Sequence, residues 1–168
     1  MLTLDRIYAG HRFKAVTRNI DVEIAPGEKF IISGCAKSGK TTLLQTAAGI
    51  IPPVSGCVFF DFLPITEFSR RELGHRLCYI PQDIFPEEKI RRISNALTDG
   101  FEYILADEPF AFLSEYEQAE LTETIFSCPG CSFLITENSA KPVYREGFST
   151  FHLAPRQEKA APKDAAYM

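Results

Sequence analysis

The strongest constraint on this chain is the octapeptide Gly34-Cys35-Ala36-Lys37-Ser38-Gly39-Lys40-Thr41. It satisfies the pattern G-x-x-x-x-G-K-[ST] at every fixed position. Before it, Lys29–Ser33 is a short, mostly apolar run that predicts a buried strand. After it, Thr42–Ala48 contains good helix formers with an apolar stripe. A glycine-rich loop between a strand and a helix is the setting in which this pattern binds phosphate.

The residue types in the loop explain how it would bind phosphate. Glycines let successive backbone N–H groups turn inward, and the following helix N-terminus adds a partial positive charge. We expect Lys40 to reach the β- and γ-phosphates of a nucleotide and the Thr41 hydroxyl to ligate Mg²⁺. The alternative is a Gly/Ser-rich turn that matches by chance, which the flanking strand and helix disfavour. The predicted nucleotide-binding residues of the loop are Gly34, Cys35, Ala36, Lys37, Ser38, Gly39, Lys40, Thr41 and Thr42.

A second anchor is the run Tyr103-Ile104-Leu105-Ala106-Asp107-Glu108-Pro109. Its apolar residues predict a core strand, and the two carboxylates follow at the carboxyl end, where parallel α/β sheets place ligands. We expect Asp107 to hold Mg²⁺ through water and Glu108 to act as the general base that polarises the attacking water. An acidic strand end is common by itself, but together with the phosphate loop it favours a metal–nucleotide site.

Length and composition predict one domain with a sizeable core. The chain has 168 residues and a net charge of −4, which disfavours nucleic acid as the main partner. We assign residues 1–153 to a single domain and residues 154–168, rich in Ala, Pro and charge, to a disordered tail. The sequence contains no pattern typical of a transmembrane helix or a signal peptide, so we expect a cytoplasmic protein that contacts a membrane only through partners.

The five cysteines are expected to be mostly free thiols, as in other cytosolic nucleotide binders. Cys128-Pro129-Gly130-Cys131 is a C-x-x-C that could be a redox pair or half of a zinc site. No second pair of ligands is evident in the sequence. We therefore favour a Pro-Gly turn before a strand, with incidental cysteines.

The order of these motifs resembles the ATP-binding cassette (ABC) ATPase family. The resemblance implies an α/β P-loop NTPase core, with a mixed, mainly parallel sheet flanked by helices and an N-terminal antiparallel β portion. The matching stretches are Ile20–Glu28, Phe30–Leu44, Ala48–Asp61, the strand Leu77–Ile80 with Pro81-Gln82 after it, and Asp107-Glu108-Pro109.

The resemblance also implies roles for residues outside the phosphate loop and the acidic strand end. A strand that ends in Pro-Gln is similar to the family's Q-loop, which implies that Gln82 contacts Mg²⁺ and the attacking water. The family stacks an upstream aromatic residue on adenine; Tyr8 is the first candidate, with His11 and Phe13 as alternatives. The implied metal ligands are Thr41, Gln82 and Asp107, and the implied catalytic residues are Glu108 and Gln82.

The chain departs from the family pattern between Gln82 and Tyr103. Only positions 83–102, which are 20 residues, separate them, enough for one helix at Glu87–Leu97. The family has a helical subdomain here that ends in the LSGGQ signature, which binds the γ-phosphate held by an opposing subunit. No Ser-Gly-Gly occurs in these 168 residues. The resemblance is therefore to a reduced member with a truncated helical subdomain.

Two further positions differ from the family. The stretch Ala111–Ser114 matches the D-loop, but Ser114 stands where the family has aspartate. After the next strand, Thr136 is followed by Glu137, where the family carries a switch histidine that contacts the γ-phosphate. A carboxylate repels a triphosphate, so Glu137 is not expected to do the work of that histidine.

Three functions fit these observations. The first is an ATP- and Mg²⁺-binding subunit of an ABC-type complex, in which a second nucleotide-binding subunit completes the catalytic site and a membrane permease is a further possible partner. The second is a regulatory or structural module that binds nucleotide without hydrolysis. The third is another P-loop enzyme such as a small-molecule kinase, for which Arg91-Arg92 is the only candidate lid.

The remaining periodicities predict the other elements of the fold. Expected strands include Met1–Ile7, Cys131–Thr136 and a final pair between Val143 and His152; expected helices are Glu67–Leu73 and Glu115–Phe126.

Overall fold

A computed structural model describes residues 1–11, 14–17 and 19–154 of the chain. Phe13, one candidate for the adenine contact, and residues 155–168 of the predicted tail lie outside the described residues. The strands are β1 (Leu2–Tyr8), β2 (Gly10–His11), β3 (Lys14–Ala15), β4 (Ile20–Ile24), β5 (Lys29–Gly34), β6 (Ser55–Phe60), β7 (Leu63–Pro64), β8 (Leu77–Ile80), β9 (Tyr103–Ala106), β10 (Ser132–Asn138) and β11 (Ser149–Leu153). The helices are α1 (Lys40–Ala47), α2 (Arg70–Arg76), α3 (Pro86–Thr98) and α4 (Glu115–Phe126), with a 3-10 turn at Ile65–Glu67.

The amino-terminal third contributes an antiparallel sheet of order β4-β1-β6-β7. Its strands alternate as their sequences predict: in β4, Ile20, Val22 and Ile24 are buried while Asp21 and Glu23 are exposed. One face of this sheet therefore packs on the core and the other faces solvent. The short β2–β3 hairpin, which the sequence analysis did not predict, leads back from β1 towards the phosphate loop.

The core is a five-stranded, fully parallel sheet of order β11-β5-β10-β9-β8. All six residues of β5 are buried, because apolar layers cover both faces of the sheet. Successive side chains of β5 enter different apolar clusters: Ile32 packs with Leu43 and Leu44 of α1, and Ile31 packs in the cluster that contains Ile93 of α3. This is the predicted α/β core with its antiparallel β portion.

Helix α3 is the only element between β8 and β9. Pro86 occupies its first turn together with Glu87 and Glu88, which suits a helix N-terminus. Its buried side chains include Ile93 and Ala96, which pack in the same apolar cluster as Leu121 and Ile125 of α4. Helices α3 and α4 thus cover this face of the sheet together, and α3 alone occupies the interval where the family has a larger helical subdomain.

Two predicted elements were wrong in position or number. Helix α2 begins at Arg70 rather than Glu67, because Ser69 and Glu72 form a reciprocal capping box. The predicted pair of final strands is a single strand, β11, which pairs in parallel with β5. Residues 139–148 form no strand: Pro142 lacks a ladder donor, and Gly147 has a φ of 79°. Among the described residues, no helix has the length and apolar character needed to cross a bilayer.

Candidate nucleotide site at the carboxyl edge of the parallel sheet

The parallel strands bring the predicted site residues to one edge of the core sheet. In β10, Asn138 lies opposite Gly34 of β5, and Ile135 lies opposite Ala106 of β9. Ala106 in turn lies opposite Ile80 of β8. The phosphate loop, the segment that begins at Pro81 and the acidic pair after β9 therefore leave the sheet side by side, as their positions in the sequence predict.

The phosphate loop needs glycine at position 39. Gly39 has a φ of 101°, a conformation that residues with a Cβ rarely adopt. A Cβ at this position would also come within 2.7 Å of Thr17 Cγ2 and 2.9 Å of Val16 Cγ1. Residues 16 and 17 thus lie directly against the loop, a contact that the sequence pattern alone does not reveal.

The Lys40 ammonium joins the phosphate loop to the acidic pair. Its Nζ donates hydrogen bonds to Gly34 O (2.8 Å) and Cys35 O (3.0 Å). It also lies 3.6 Å from Glu108 Oε1, and the side chains of Lys40 and Glu108 are only 5% and 12% exposed. The lysine expected to bind phosphate and the carboxylate expected to act as base are therefore neighbours.

Gln82 completes this cluster. Its Nε2 donates to Glu108 Oε2 at 3.1 Å, so the predicted Q-loop residue reaches the predicted base directly. Glu108 has a φ of 47°, in the left-handed region where a non-glycine residue costs roughly 1–2 kcal/mol. Six other non-glycine residues in the described part of the chain also have a positive φ, so the catalytic role of Glu108 stays a prediction.

Two residues that the sequence analysis did not assign to the site hold the acidic pair in place. The buried Thr136 Oγ1 donates to Asp107 Oδ1 at 2.5 Å and accepts from Glu108 N at 2.9 Å. Lys89 Nζ donates to the carbonyl oxygens of Asp107 (3.3 Å) and Glu108 (3.0 Å), and burial lowers the pKa of this lysine. A signal for Lys89 was present, since its position four residues before Ile93 puts it on the apolar face of α3.

Two buried oxygens at this edge show that the residues fit a metal–phosphate ligand. Asp107 is fully buried and Ser38 is 5% exposed. Asp107 Oδ2 and Ser38 Oγ have no hydrogen-bond partner within the described part of the chain. Buried polar atoms are normally satisfied, and a carboxylate oxygen is a preferred ligand of Mg²⁺. The donor set therefore suits Mg²⁺ at Asp107 and a phosphate oxygen at Ser38.

The remaining predicted site residues are half-buried or exposed. Thr41 and Thr42 lie half-buried in the first turn of α1. Tyr8 is the half-buried last residue of β1, and its carbonyl accepts from Val54 N at 2.8 Å. His11 is exposed in the hairpin. Both described candidates for the adenine contact thus precede the segment that lies on Gly39, and the choice between them stays a prediction.

The C-x-x-C segment forms a turn held by Lys29. Lys29 Nζ donates hydrogen bonds to Cys128 O (3.0 Å), Cys131 O (2.5 Å) and Gly27 O (3.0 Å). Burial lowers the pKa of this lysine. Both cysteines are free, and the described residues contain no group of three or more His, Cys, Asp or Glu side chains able to hold a metal. Burial raises the pKa of Cys131 to about 11. This geometry agrees with the predicted structural turn.

We expect the thiols of Cys35 and Cys131 to react very differently with iodoacetamide at pH 8. Cys131 is 3% exposed and, with a pKa of about 11, is only about one part in a thousand thiolate at that pH. The half-exposed Cys35 lies within the phosphate loop, so it should be alkylated, and Mg²⁺–ATP should slow its reaction. Site-resolved mass spectrometry measures both rates, and urea-unfolded protein is the control. Equal native rates, or no protection of Cys35, would contradict the expectation.

A parallel sheet with a phosphate loop between an inner strand, β5, and the following helix α1 defines this protein as a P-loop NTPase fold of the α/β class. The family model described as ABC transporter matches residues 17–127. The chain therefore belongs to the ABC transporter ATP-binding family, and its described residues form an ABC-type nucleotide-binding domain.

Similar proteins include transporters and separate ATP-binding subunits. The chain is 34% identical over 121 residues to a putative ABC transporter C family member 15 of Arabidopsis thaliana, covering 72% of this chain and 10% of that protein. It is 40% identical over 75 residues to a molybdate/tungstate import ATP-binding protein of Thermococcus kodakarensis, covering 44% and 22%. It is 29% identical over 97 residues to a hemin import ATP-binding protein of Hahella chejuensis, covering 58% and 38%. The chain thus matches less than two fifths of the length of each relative.

Solved structures with the same fold are ABC cassettes. A putative ABC transporter ATP-binding protein from Pyrococcus furiosus aligns with a TM-score of 0.70 at 16% identity, covering 90% of this chain and 96% of that one. A nucleotide-free ATP-binding cassette from an ABC transporter aligns with a TM-score of 0.72 at 16% identity, covering 82% and 81%. At this identity the likeness establishes the fold alone.

Proposed function

We propose that this chain binds ATP with Mg²⁺ as a nucleotide-binding subunit of an ABC-type complex, and that a second nucleotide-binding subunit completes its catalytic site. The observation that carries the proposal is the cluster at Glu108. Its two carboxylate oxygens face Lys40 Nζ at 3.6 Å and Gln82 Nε2 at 3.1 Å. Three segments far apart in sequence thus converge on one carboxylate beside a phosphate loop.

Each residue has a defined task in this proposal. The loop N–H groups, Lys40 and Ser38 bind the phosphates, while Thr41, Gln82 and Asp107 supply the oxygen ligands of Mg²⁺. The ion contributes neutralisation of phosphate charge. Glu108 orients a water molecule and accepts its proton, and Thr136 keeps Asp107 and Glu108 in register through its two hydrogen bonds.

The need for a partner subunit is supported by what surrounds the site. These 168 residues contain no Ser-Gly-Gly, and α3 alone occupies the interval between β8 and β9. Two large aromatic side chains stand in solvent on the segments that follow Gln82 and Glu108: Phe85 is 81% exposed and Phe112 is 95% exposed. Exposed aromatics of this size are common in protein interfaces. The partner of this proposal is a complete ABC subunit, in a complex docked at the cytoplasmic side of a membrane permease.

Nucleotide binding without turnover is the second candidate, and one observation favours it. Glu137, which stands at the family's switch-histidine position, forms a two-pronged ion pair with Arg145 (3.0 and 3.1 Å). It therefore provides no histidine-like contact to a γ-phosphate. A kinase is less well supported, because Arg91 and Arg92, the only lid candidate, both bond to Glu88 of their own helix.

Replacement of Glu108 by glutamine separates the two candidates. With a complete ABC subunit present, we expect turnover to fall by about 10²–10⁴-fold, because the amide cannot accept the proton of water. Mg²⁺–ATP affinity should be kept or increased, since a negative charge near the phosphates is removed. Phosphate release and isothermal titration calorimetry measure the two quantities.

The control for this experiment is Glu115→Gln, an exposed carboxylate at the start of α4 that contacts none of the site residues. Binding of Mg²⁺–ATP without turnover in any mixture, for wild type and variants alike, would favour the non-hydrolysing module. Transfer of phosphate to a small acceptor would favour a kinase. Failure of wild type to bind Mg²⁺–ATP would reject the proposal.

A further inference from the structure

A cavity of about 160 Å³ lies beside Glu108. Glu108, Glu137 and Arg145 are its charged lining residues, and Asn138 contributes to the same wall. Since Glu108 is also 3.6 Å from Lys40 Nζ, it belongs both to the phosphate site and to this cavity. A phosphate chain held at Lys40 would therefore lie next to the cavity. The charges that line the cavity would then attract or repel the terminal phosphate of that chain.

Arg145 is fixed in this cavity by side chains from β10, α4 and the turn that follows β9. Its Nε and Nη2 donate to Glu137 Oε2 (3.0 Å) and Oε1 (3.1 Å) at the end of β10. Nη2 also donates to Gln118 Oε1 of α4 at 3.2 Å. The guanidinium carbon lies 4.2 Å from the ring centre of Phe110, which follows the acidic pair. Arg145 is three-quarters buried, with 25% of its side chain exposed.

These contacts leave part of the guanidinium available to a ligand. Nε and Nη2 account for all of its hydrogen bonds to the described residues, so the two N–H groups of Nη1 remain as donors. A planar guanidinium that is already oriented is well suited to a phosphate oxygen. The bound Glu137 and the stacked Phe110 hold it in that orientation.

The balance of charge in the cavity depends on this one arginine. Glu108 and Glu137 bring two carboxylates, and Arg145 is the only cation among the lining residues. Without Arg145, the additional charge of a terminal phosphate would meet Glu137 with no cation paired to it, while Lys40 would still offset Glu108. With Arg145, Glu137 is neutralised by its ion pair, and the repulsion is replaced by an attraction.

We propose that Arg145 is a specificity-determining residue, which makes this chain favour a nucleoside triphosphate over a diphosphate by neutralising Glu137 and placing a cation beside the terminal phosphate. The inference rests on the proposed nucleotide-binding function and deepens it. The proposal requires that a diphosphate held at Lys40 stops short of the cavity, so that its affinity should not depend on Arg145.

The test compares affinities for Mg²⁺–AMP-PNP, a non-hydrolysable triphosphate, and Mg²⁺–ADP by isothermal titration calorimetry. For Arg145→Ala we expect about tenfold weaker binding of AMP-PNP and less than a twofold change for ADP. The double variant Arg145→Ala/Glu137→Gln should recover most of the lost affinity, because the uncompensated carboxylate is gone. Arg145→Lys keeps the positive charge but loses the planar guanidinium with its paired N–H donors. Its affinity for AMP-PNP should lie between those of wild type and Arg145→Ala.

Arg71→Gln, an exposed arginine on α2, is the matched control and should bind both nucleotides as wild type does. An equal loss for both nucleotides in Arg145→Ala, without recovery in the double variant, would show a structural role and overturn the inference while nucleotide binding stands. Unchanged AMP-PNP affinity would overturn it as well. Wild type that binds neither nucleotide would instead reject the underlying function. Should Arg145→Ala fail to fold, Arg145→Lys gives the comparison: weaker binding of AMP-PNP than in wild type, with unchanged binding of ADP.

Discussion

Lys40→Ala should weaken binding of Mg²⁺–ATP by about a hundredfold or more. Charge-assisted hydrogen bonds from a buried ammonium contribute roughly 1.5–3 kcal/mol, which is about ten- to a hundredfold in affinity. The loss should exceed that of the contact itself, since Glu108 Oε1 lies 3.6 Å from Lys40 Nζ. Without the lysine this carboxylate faces the phosphates with no cation between them. Calorimetric titration with Mg²⁺–ATP measures the effect.

The fold should survive this change. Lys40→Met retains the aliphatic stem in its buried position at the start of α1 and should lose affinity to the same extent, with a melting temperature close to that of wild type. Arg70→Met, which removes an exposed cation on α2, controls for net charge. Retention of near wild-type ATP affinity by a folded Lys40→Met protein would contradict the assignment of the loop as the phosphate site.

Thr136→Val should destabilise the protein by about 3 kcal/mol and weaken its use of Mg²⁺. The substitution is nearly isosteric, so the effect comes from two buried groups that lose their partner: Asp107 Oδ1 and Glu108 N. Each buried unsatisfied group costs about 1–3 kcal/mol. For a domain of this size the loss corresponds to a fall of roughly 6–12 °C in Tm. Thermal unfolding, followed by circular dichroism, measures it.

The metal effect is a separate readout in the same protein. Asp107 is the proposed Mg²⁺ ligand, and loss of a hydrogen bond that orients a ligand typically weakens metal affinity by about 10–100-fold. The half-saturating Mg²⁺ concentration for ATP binding should rise accordingly. Thr136→Ser keeps the hydroxyl and removes one buried methyl, so it should cost only about 1 kcal/mol and leave the Mg²⁺ requirement unchanged. Equal behaviour of the serine and valine variants would argue that the hydroxyl does not position the acidic pair.

The part of the candidate site that the sequence predicts well is the placement of its contiguous motifs. The phosphate loop, Gln82 and the acidic pair each follow a buried apolar run, and parallel pairing of those runs brings them to one edge. Helices α3 and α4 begin within one residue of their predicted starts, and in the structure Pro86 and the Ser114–Glu117 capping box lie at those starts. The same kind of signal was missed at α2, where the capping box of Ser69 and Glu72 places the start of the helix at Arg70.

What the sequence could not predict are contacts between segments. Arg145 lies between β10 and β11 and belongs to no motif. Its side chain nevertheless donates hydrogen bonds to side chains of β10 and α4. The place of Lys89 on the apolar face of α3 could be inferred from the sequence, but its hydrogen bonds to the carbonyl groups of Asp107 and Glu108 could not. Thr136 was noted only as the residue before Glu137. In each case the partner lies eight or more positions away, so no local pattern carries the information.

The position of β5 in the sheet has a consequence for how the protein folds during its synthesis. β5 lies between β10 and β11, whose residues are made about a hundred positions after its own. The strand that ends in the phosphate loop is therefore translated early but acquires its neighbours last. Contacts of such large sequence separation form slowly. We therefore expect the phosphate loop of a ribosome-bound chain to be completed only when almost the whole domain has emerged, and nucleotide binding to follow that step.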